Sequence, residues 1–541
     1  MTGVAWSKDG MIATAKATAS GVGLAVMARG GNAVDATIAA ALSLNVTYPL
    51  MCGLGGDVFA LIHEAATGKT YGVNASGIAP YNATPEYFQE RGMAEMPPQG
   101  MLAVAVPGAV RAYFDILERW GTMSFAELAQ PALRYARNGF VVTPQIAAHF
   151  AAHREDLARY PSSARVFLPG GEAPRAGEVL RQPELAASLQ LLVEQGPAAL
   201  YGGALGERIL EYANANGGIW RGDEWATQRT DIYEPAPSVN YRELYQVYQT
   251  APPSQGLILL EELNLVEGFE LTRYDGRPEE PPQADAASTH ALIESKKLAF
   301  ADRNRHVGDP RMVDFPWQSL LSKEFAARRR QEIDLGRAAG RVDGAEMAGD
   351  TTSHVCVDAS GNMVSFIHSL SNAFGCCEVA GDTGILLNNR AGRGFVLQPG
   401  HPNCIAPGKR TMHTLNTYLV TKEGRAYAVG NTPGGDGQPQ WNLQVITNLL
   451  DLDMSVAEAL AAPRWTSHPG TDPLGLGRPV ELVVESRMSE AVRQRLADLG
   501  HRLRVVGPWA GGGDAMLIRL GPGRVLEGAS DPRGEGVAVG I

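Results

Sequence analysis

The chain has few cysteines, no basic excess and no long apolar run. Five cysteines occur in 541 residues, two of them adjacent as Cys376 and Cys377, so neither a disulfide framework nor a cysteine-based zinc pattern is present. Sparse thiols of this kind are expected to be reduced, in a cytoplasmic protein. A formal net charge of −11 argues against nucleic acid or an anionic membrane as partner. No segment approaches the roughly 18 uninterrupted apolar residues of a membrane span. Met1-Thr-Gly-Val-Ala-Trp-Ser-Lys-Asp-Gly10 lacks a basic start followed by an apolar run, so no signal peptide is visible. What is present is ordinary globular usage, 45% hydrophobic and 19% charged, enough for one or two substantial cores.

The most informative stretch begins at Thr351: Thr-Thr-Ser-His-Val-Cys-Val-Asp-Ala-Ser-Gly-Asn-Met-Val-Ser-Phe. Val355 and Val357 alternate with more polar neighbours, residues 359–362 form a turn cluster, and 363–370 alternate again. This pattern predicts a β-hairpin. Thr-Thr would suit the start of any strand. A threonine at the very start of one, however, is placed to become a new N-terminus. If the bond after Asp350 breaks, Thr351 carries a hydroxyl and a free α-amine together, a nucleophile with its own base. An α-amine of pKa about 7.7 to 8.0 suits general-base work near neutrality.

Before Thr351 the chain is mainly helical in pattern. Helices are expected over 20–29, stopped by Gly30-Gly31, then over 33–44 with Asn32 as its cap, and over 109–119, 125–138, 182–194 and 286–303. Residues 277–283, rich in proline and glutamate, read as a surface loop. Beyond Thr351 short strands dominate, with helices at 442–450, 455–461 and 489–499. Residues 336–350 are rich in Gly and Ala and read as a flexible linker, which would let Thr351 reach the Asp350 carbonyl. The run Ala510-Gly-Gly-Gly-Asp514 lacks the Lys-Ser/Thr of a phosphate loop, so nucleotide binding has little support.

Several landmarks recur in order along the chain. They are Gly30-Gly-Asn-Ala-Val-Asp-Ala36, Gly53-Leu-Gly-Gly56, Val106-Pro-Gly-Ala109, Ala251-Pro-Pro-Ser-Gln-Gly256, Ala301-Asp-Arg303 and Gly308-Asp-Pro310, then Asn372-Ala-Phe-Gly375, Gly381-Asp-Thr-Gly-Ile-Leu-Leu-Asn-Asn389, Pro407-Gly-Lys-Arg410, Pro433-Gly-Gly435 and Gly528-Ala-Ser-Asp-Pro-Arg533. Together with the hairpin they resemble the γ-glutamyltransferase family over nearly the whole chain. The resemblance implies an α+β fold, the four-layer αββα sandwich of N-terminal nucleophile hydrolases. It implies a large fragment 1–350 and a small fragment 351–541, which associate after self-cleavage between Asp350 and Thr351 and together form one sandwich. Thr351 is then the nucleophile, Ser369 the hydroxyl that orients it, and Gly434 with Gly435 the oxyanion hole, where the missing Cβ leaves room for the attacked carbonyl. Neither metal nor organic cofactor is implied, and a homodimer of the two-fragment unit is compatible with the resemblance.

The substrate positions depart from the family pattern. Ser76 stands where an arginine holds the donor α-carboxylate, and Arg393 or Gly394 where an aspartate holds the α-amine. His413 and Thr414 replace paired serines, and Ser371 replaces an asparagine. The interval from Asn403 to Lys409 is too short for the lid loop of many relatives. Gly55-Gly-Asp57, Gly408-Lys-Arg-Thr-Met-His413 and Gly434-Gly-Asp-Gly-Gln-Pro-Gln440 are similar to the branch containing oxamate amidohydrolases and cephalosporin acylases. The expected activity is hydrolysis of a small, anionic amide through an acyl-enzyme on Thr351. The alternatives are γ-glutamyl transfer or glutathione hydrolysis, and a non-catalytic binding protein on the same fold.

Overall fold

The computed structural model describes residues 3–340, 350–469 and 480–541. The expected hairpin lies at its centre: Asp350–Asp358 pairs antiparallel with Met363–Ser371. In the turn, the Asp358 carboxylate accepts from the backbone N–H groups of Ser360 and Asn362, at 2.9 and 3.1 Å.

Two antiparallel sheets of seven strands stack around this hairpin. The first runs Val537–Gly540, Gly10–Thr14, Asp350–Asp358, Met363–Ser371, Asp57–Glu64, Lys69–Ala75, Asp231–Tyr233. The second runs Ala5–Ser7, Leu526–Ser530, Met516–Leu520, Arg425–Asn431, Tyr418–Lys422, Tyr245–Tyr248, Ser238–Tyr241. Arg425–Asn431 packs across the hairpin, and the Asn431 side-chain amide donates to the carbonyls of His354 and Phe366 at 3.1 and 3.2 Å. One buried amide thus ties the two sheets together.

Helices cover both outer faces. Ala17–Met27 and Ala33–Thr47 lie on the first sheet, while Gly256–Val266, Gly437–Leu450 and Val456–Ala461 lie on the second, with Ala286–His306 packed outside them. This is the α+β, four-layer αββα arrangement. Every residue of Ala33–Thr47 is buried, which suits a helix that is apolar or small on all sides. Its start is closed by a capping box: Asn32 Oδ1 accepts from the N–H groups of Val34 and Asp35, and Asp35 Oδ2 accepts from the Asn32 N–H. The other Asp35 oxygen accepts from the backbone of Thr122 and Met123.

Most expected helices are present, with shifted ends. The first begins at Ala17, three residues early, and the stretch 125–138 is two helices, Phe125–Leu128 and Gln130–Asn138. Pro131 explains the split, since it fits a first helical turn but not a helix interior. Although residues 1–350 are helical in pattern, they supply four strands to the first sheet and three to the second. Residues 341–349 of the expected linker lie outside the described residues. The part before them is held: the N–H of Ala338 donates to the Leu499 carbonyl at 2.7 Å and that of Ala339 to Glu294 at 3.0 Å.

Asp35→Ala should therefore be costly, because a fully buried carboxylate that accepts from several partly buried donors is lost at once. The expected loss is about 3 kcal/mol, against about 1 kcal/mol for Asn32→Ala, read from urea midpoints. Equal, small effects would contradict the role given to Asp35.

Candidate active site

The hairpin ladder shifts register at its open end, where Asp350 faces Ser371 but Thr352 faces His368. A bulge of this kind re-aims one side chain, here that of Thr351. Its hydroxyl donates to Ser369 Oγ at 3.3 Å, and the Ser371 N–H donates to the same oxygen at 2.8 Å. Both hydroxyls are buried. Ser371 adopts φ +91°, a left-handed conformation unusual for serine, and its own Oγ has no partner among the described residues.

On the next strand Asp57 stands opposite Ser369. Its fully buried carboxylate accepts from Arg390 Nε at 3.0 Å, His413 Nε2 at 3.1 Å and the Gly77 N–H at 3.1 Å. Burial would raise its pKa, but the His413 hydrogen bond and the Arg390 charge outweigh that and hold it below its ordinary value. The Leu415 N–H donates to His413 Nδ1 at 3.3 Å, which assigns the ring proton to Nε2 and leaves the imidazole neutral. Burial, reinforced by the charge of Arg390 and more weakly by that of Arg393, pushes His413 down to about 3.

Gly434 and Gly435 follow the strand Arg425–Asn431 and precede the helix Gly437–Leu450. Both have positive φ, +122° and +54°, and a Cβ on Gly434 would lie 2.2 Å from the Trp441 ring. Neither N–H has an acceptor among the described residues. Gln255 holds the turn from behind, its amide donating to the Gly435 carbonyl at 2.9 Å and to the Thr414 carbonyl. Arg303 in turn binds the Gln255 side-chain oxygen and Asp436, the latter at 2.7 Å.

This arrangement sits on a sequence whose residues 19–541 match the model of the gamma-glutamyltranspeptidase family. The chain belongs to that family, and it is an enzyme of that family. Among its relatives, the glutathione hydrolase-like YwrD proenzyme of Bacillus subtilis is 37% identical, over 98% of each chain. The oxamate amidohydrolase proenzyme of Klebsiella pneumoniae is 36% identical over 99% of each. A crystal structure of cephalosporin acylase from Bacillus halodurans superposes with a TM-score of 0.90 at 34% identity, covering all of this chain and 97% of that one.

The residues picked out from the sequence fall into three sets of contacts. Thr351, Ser369, Ser371 and Arg393 form one chain of contacts, since Arg393 Nη1 donates to the Ser371 carbonyl at 3.2 Å. His413 joins Ser76 through Asp57, whose Oδ1 binds Gly77, the residue after Ser76. Thr414 and Gly435 share Gln255. The Ser76 hydroxyl is already satisfied by Asn74 at 2.8 Å, whereas Thr414 Oγ1, like that of Ser371, has no partner among the described residues. Asp57, Arg390, Gln255, Arg303 and Asp436 carried no assigned role in the sequence, although Asp57, Gln255, Arg303 and Asp436 lie in its quoted landmarks. Their signal was a charged or amide side chain inside an otherwise small or apolar segment.

The neutral buried histidines predict acid sensitivity. His413 and His354, both pushed down to about 3 by burial, bind fewer protons folded than unfolded between about pH 6.5 and 3. Their contribution is complete above the unfolded value and is lost as pH falls through that window, by up to about 1.4 kcal/mol per unit for each. Asp57, depressed in the fold, adds a loss below about pH 4. Urea midpoints measured from pH 7.5 to 4.5 should fall, and fall less steeply for His413→Gln. A flat profile would contradict the assignment.

Proposed function

We propose that this enzyme is a self-processing amidohydrolase with Thr351 as nucleophile, acting on small amides whose acyl part is anionic. In processing, Thr351 Oγ attacks the Asp350 carbonyl carbon, the peptide C–N bond breaks, and an ester with a free α-amine results. Water hydrolyses the ester, leaving the Asp350 carboxylate and a mature N-terminal threonine. In turnover the α-amine takes the hydroxyl proton, Oγ attacks the substrate carbonyl, the amine or ammonia leaves, and water releases the acyl group. Ser369 orients the nucleophile, and the N–H groups of Gly434 and Gly435 receive the oxyanion.

What carries this reading is the bulge that aims Thr351 at Ser369 in a buried strand end. The unpartnered N–H groups of the glycine turn support the oxyanion role. The unpartnered hydroxyls of Ser371 and Thr414 fall at two of the expected substrate positions, where a ligand would satisfy them. The charge of Arg393, felt at His413 and placed beside Ser371, favours an anionic group. The names of the oxamate amidohydrolase and cephalosporin acylase relatives agree with an amide other than a γ-glutamyl one.

Purified protein should show two pieces, the smaller beginning Thr-Thr-Ser-His-Val. Thr351→Ala should neither mature nor turn over, and Thr351→Ser should retain part of both. An intact chain with full activity, or normal processing of Thr351→Ala alongside failure of Thr352→Ala, would displace Thr351 from the role.

For specificity, kcat/KM for glutaryl anilide should exceed that for γ-glutamyl anilide, and ammonia should be released from oxamate. Arg393→Ala should lower turnover of acidic substrates by about tenfold or more, the value of one charge-assisted hydrogen bond. A clear preference for the γ-glutamyl compound would favour the glutathione hydrolase reading instead.

A further inference from the structure

We propose that His290, Glu294 and His501 form a binding site for a divalent metal ion of the zinc class, outside the hydroxyl chain that starts at Thr351. His290 and Glu294 lie one turn apart on Ala286–His306, so they share a helix face, and His501 follows the helix Glu490–Asp498. All three side chains are buried. His290 Nδ1 and His501 Nε2 are 2.8 Å apart, and each is 3.9 Å from Glu294 Oε1. The point equidistant from these three atoms lies about 2.1 Å from each, the length of zinc bonds to imidazole nitrogen and carboxylate oxygen. That point lies in the plane of the three atoms; for tetrahedral angles the two nitrogens need part by about 0.6 Å and the Glu294 oxygen needs to close on each by about 0.5 Å.

The surroundings fit a ligand set. His290 Nε2 donates to the Asp334 carbonyl at 2.9 Å, which puts the ring proton there and turns the Nδ1 lone pair toward the other two groups. Metal-bound imidazoles characteristically have such an outer hydrogen bond. The Ala339 N–H donates to Glu294 Oε2 at 3.0 Å and fixes the carboxylate, while Lys297 donates to Oε1, the proposed ligand, at 2.7 Å, so an ion would have to share that oxygen with the ammonium or displace it. Two nitrogens and one oxygen suit zinc better than magnesium or calcium, which prefer oxygen. A cavity of about 520 Å³, lined by Lys297, Asp334, Ala339, Glu481 and His501 among others, opens on the His501 side of the triad.

The site joins parts of the chain on either side of Asp350. His290 and Glu294 precede it and His501 follows it, so a bound ion would fasten the two pieces of the mature enzyme. That consequence rests on the proposed cleavage; the site itself does not.

Chelator-treated protein should bind one equivalent of zinc and keep it through desalting. Cobalt(II) in its place should give the visible absorption of a four-coordinate nitrogen and oxygen site. His290→Gln, Glu294→Gln and His501→Gln should each weaken zinc binding by more than about tenfold. Circular dichroism of the metal-free variants checks that they fold, and the zinc-induced rise in thermal midpoint should vanish in them. Uncut Thr351→Ala should bind zinc as the wild type does, which separates this site from the processing reaction. If less than a tenth of an equivalent is retained, or the His290→Gln/His501→Gln protein binds zinc equally, the triad is a hydrogen-bonded imidazole pair and the proposal fails. If zinc binds but its removal leaves the urea midpoint for separation of the pieces unchanged, the fastening role fails.

Discussion

The strand Asp350–Asp358 is hydrogen-bonded on both edges, to Gly10–Thr14 over residues 354–358 and to Met363–Ser371 along its length. The Thr351 hydroxyl lies three residues ahead of the first of these ladders, which starts at His354, so it is aimed by the hairpin ladder alone, whose one irregularity is the bulge beside Asp350. A bond broken at the start of such a strand removes none of the ladder beyond it. Each sheet contains strands from before and after that point, so the two pieces of a cleaved chain could part only by exposing the inner faces of both sheets. The architecture thus makes the proposed cleavage compatible with a stable product.

Close backbone approach is the second constraint. A Cβ on Gly56 would lie 2.4 Å from the Ser369 carbonyl oxygen, so the strand carrying Asp57 can reach Ser369 only with glycine there. Trp441 plays the matching part on the other side. Its ring backs Gly434 and also fills the space a Cβ would need on Gly512 and Gly513, while its Nε1 donates to Thr466 at 2.8 Å. The glycine run before Asp514, which in the sequence only excluded a phosphate loop, is a turn laid against the same indole that supports the glycine pair.

What was legible in the sequence was local. The alternation around Thr351, the Asn32 cap and the small-residue helix after it depend on neighbours within a few positions, and the structure follows them closely. Helix ends were less legible, because Pro131 competes with a periodicity that runs through it. The Asp57, Arg390 and His413 cluster was not legible as a unit. Asp57 lies more than 300 positions before Arg390 and His413, and only its pairing with Ser369 across two strands brings the cluster beside the nucleophile. Gln255, Arg303 and Asp436 form their web in the same way, through helices that meet only in the folded molecule.

Buried charge is stable only where it is matched, and that bears on which acyl group the proposed site can accept. Asp57 is the carboxylate closest in the sheet to Ser369, yet it already accepts from Arg390, His413 and Gly77. An ammonium placed there would have to compete with a guanidinium fixed by the same carboxylate. The positions that clamp a zwitterion in the family pattern carry Ser76 and Arg393 or Gly394, and the Ser76 hydroxyl is turned to Asn74. A substrate with an α-ammonium would thus enter a site whose nearest buried carboxylate is committed and whose added charge is positive. An anionic acyl group lacking that ammonium meets no such conflict, and this is the physical ground for preferring it.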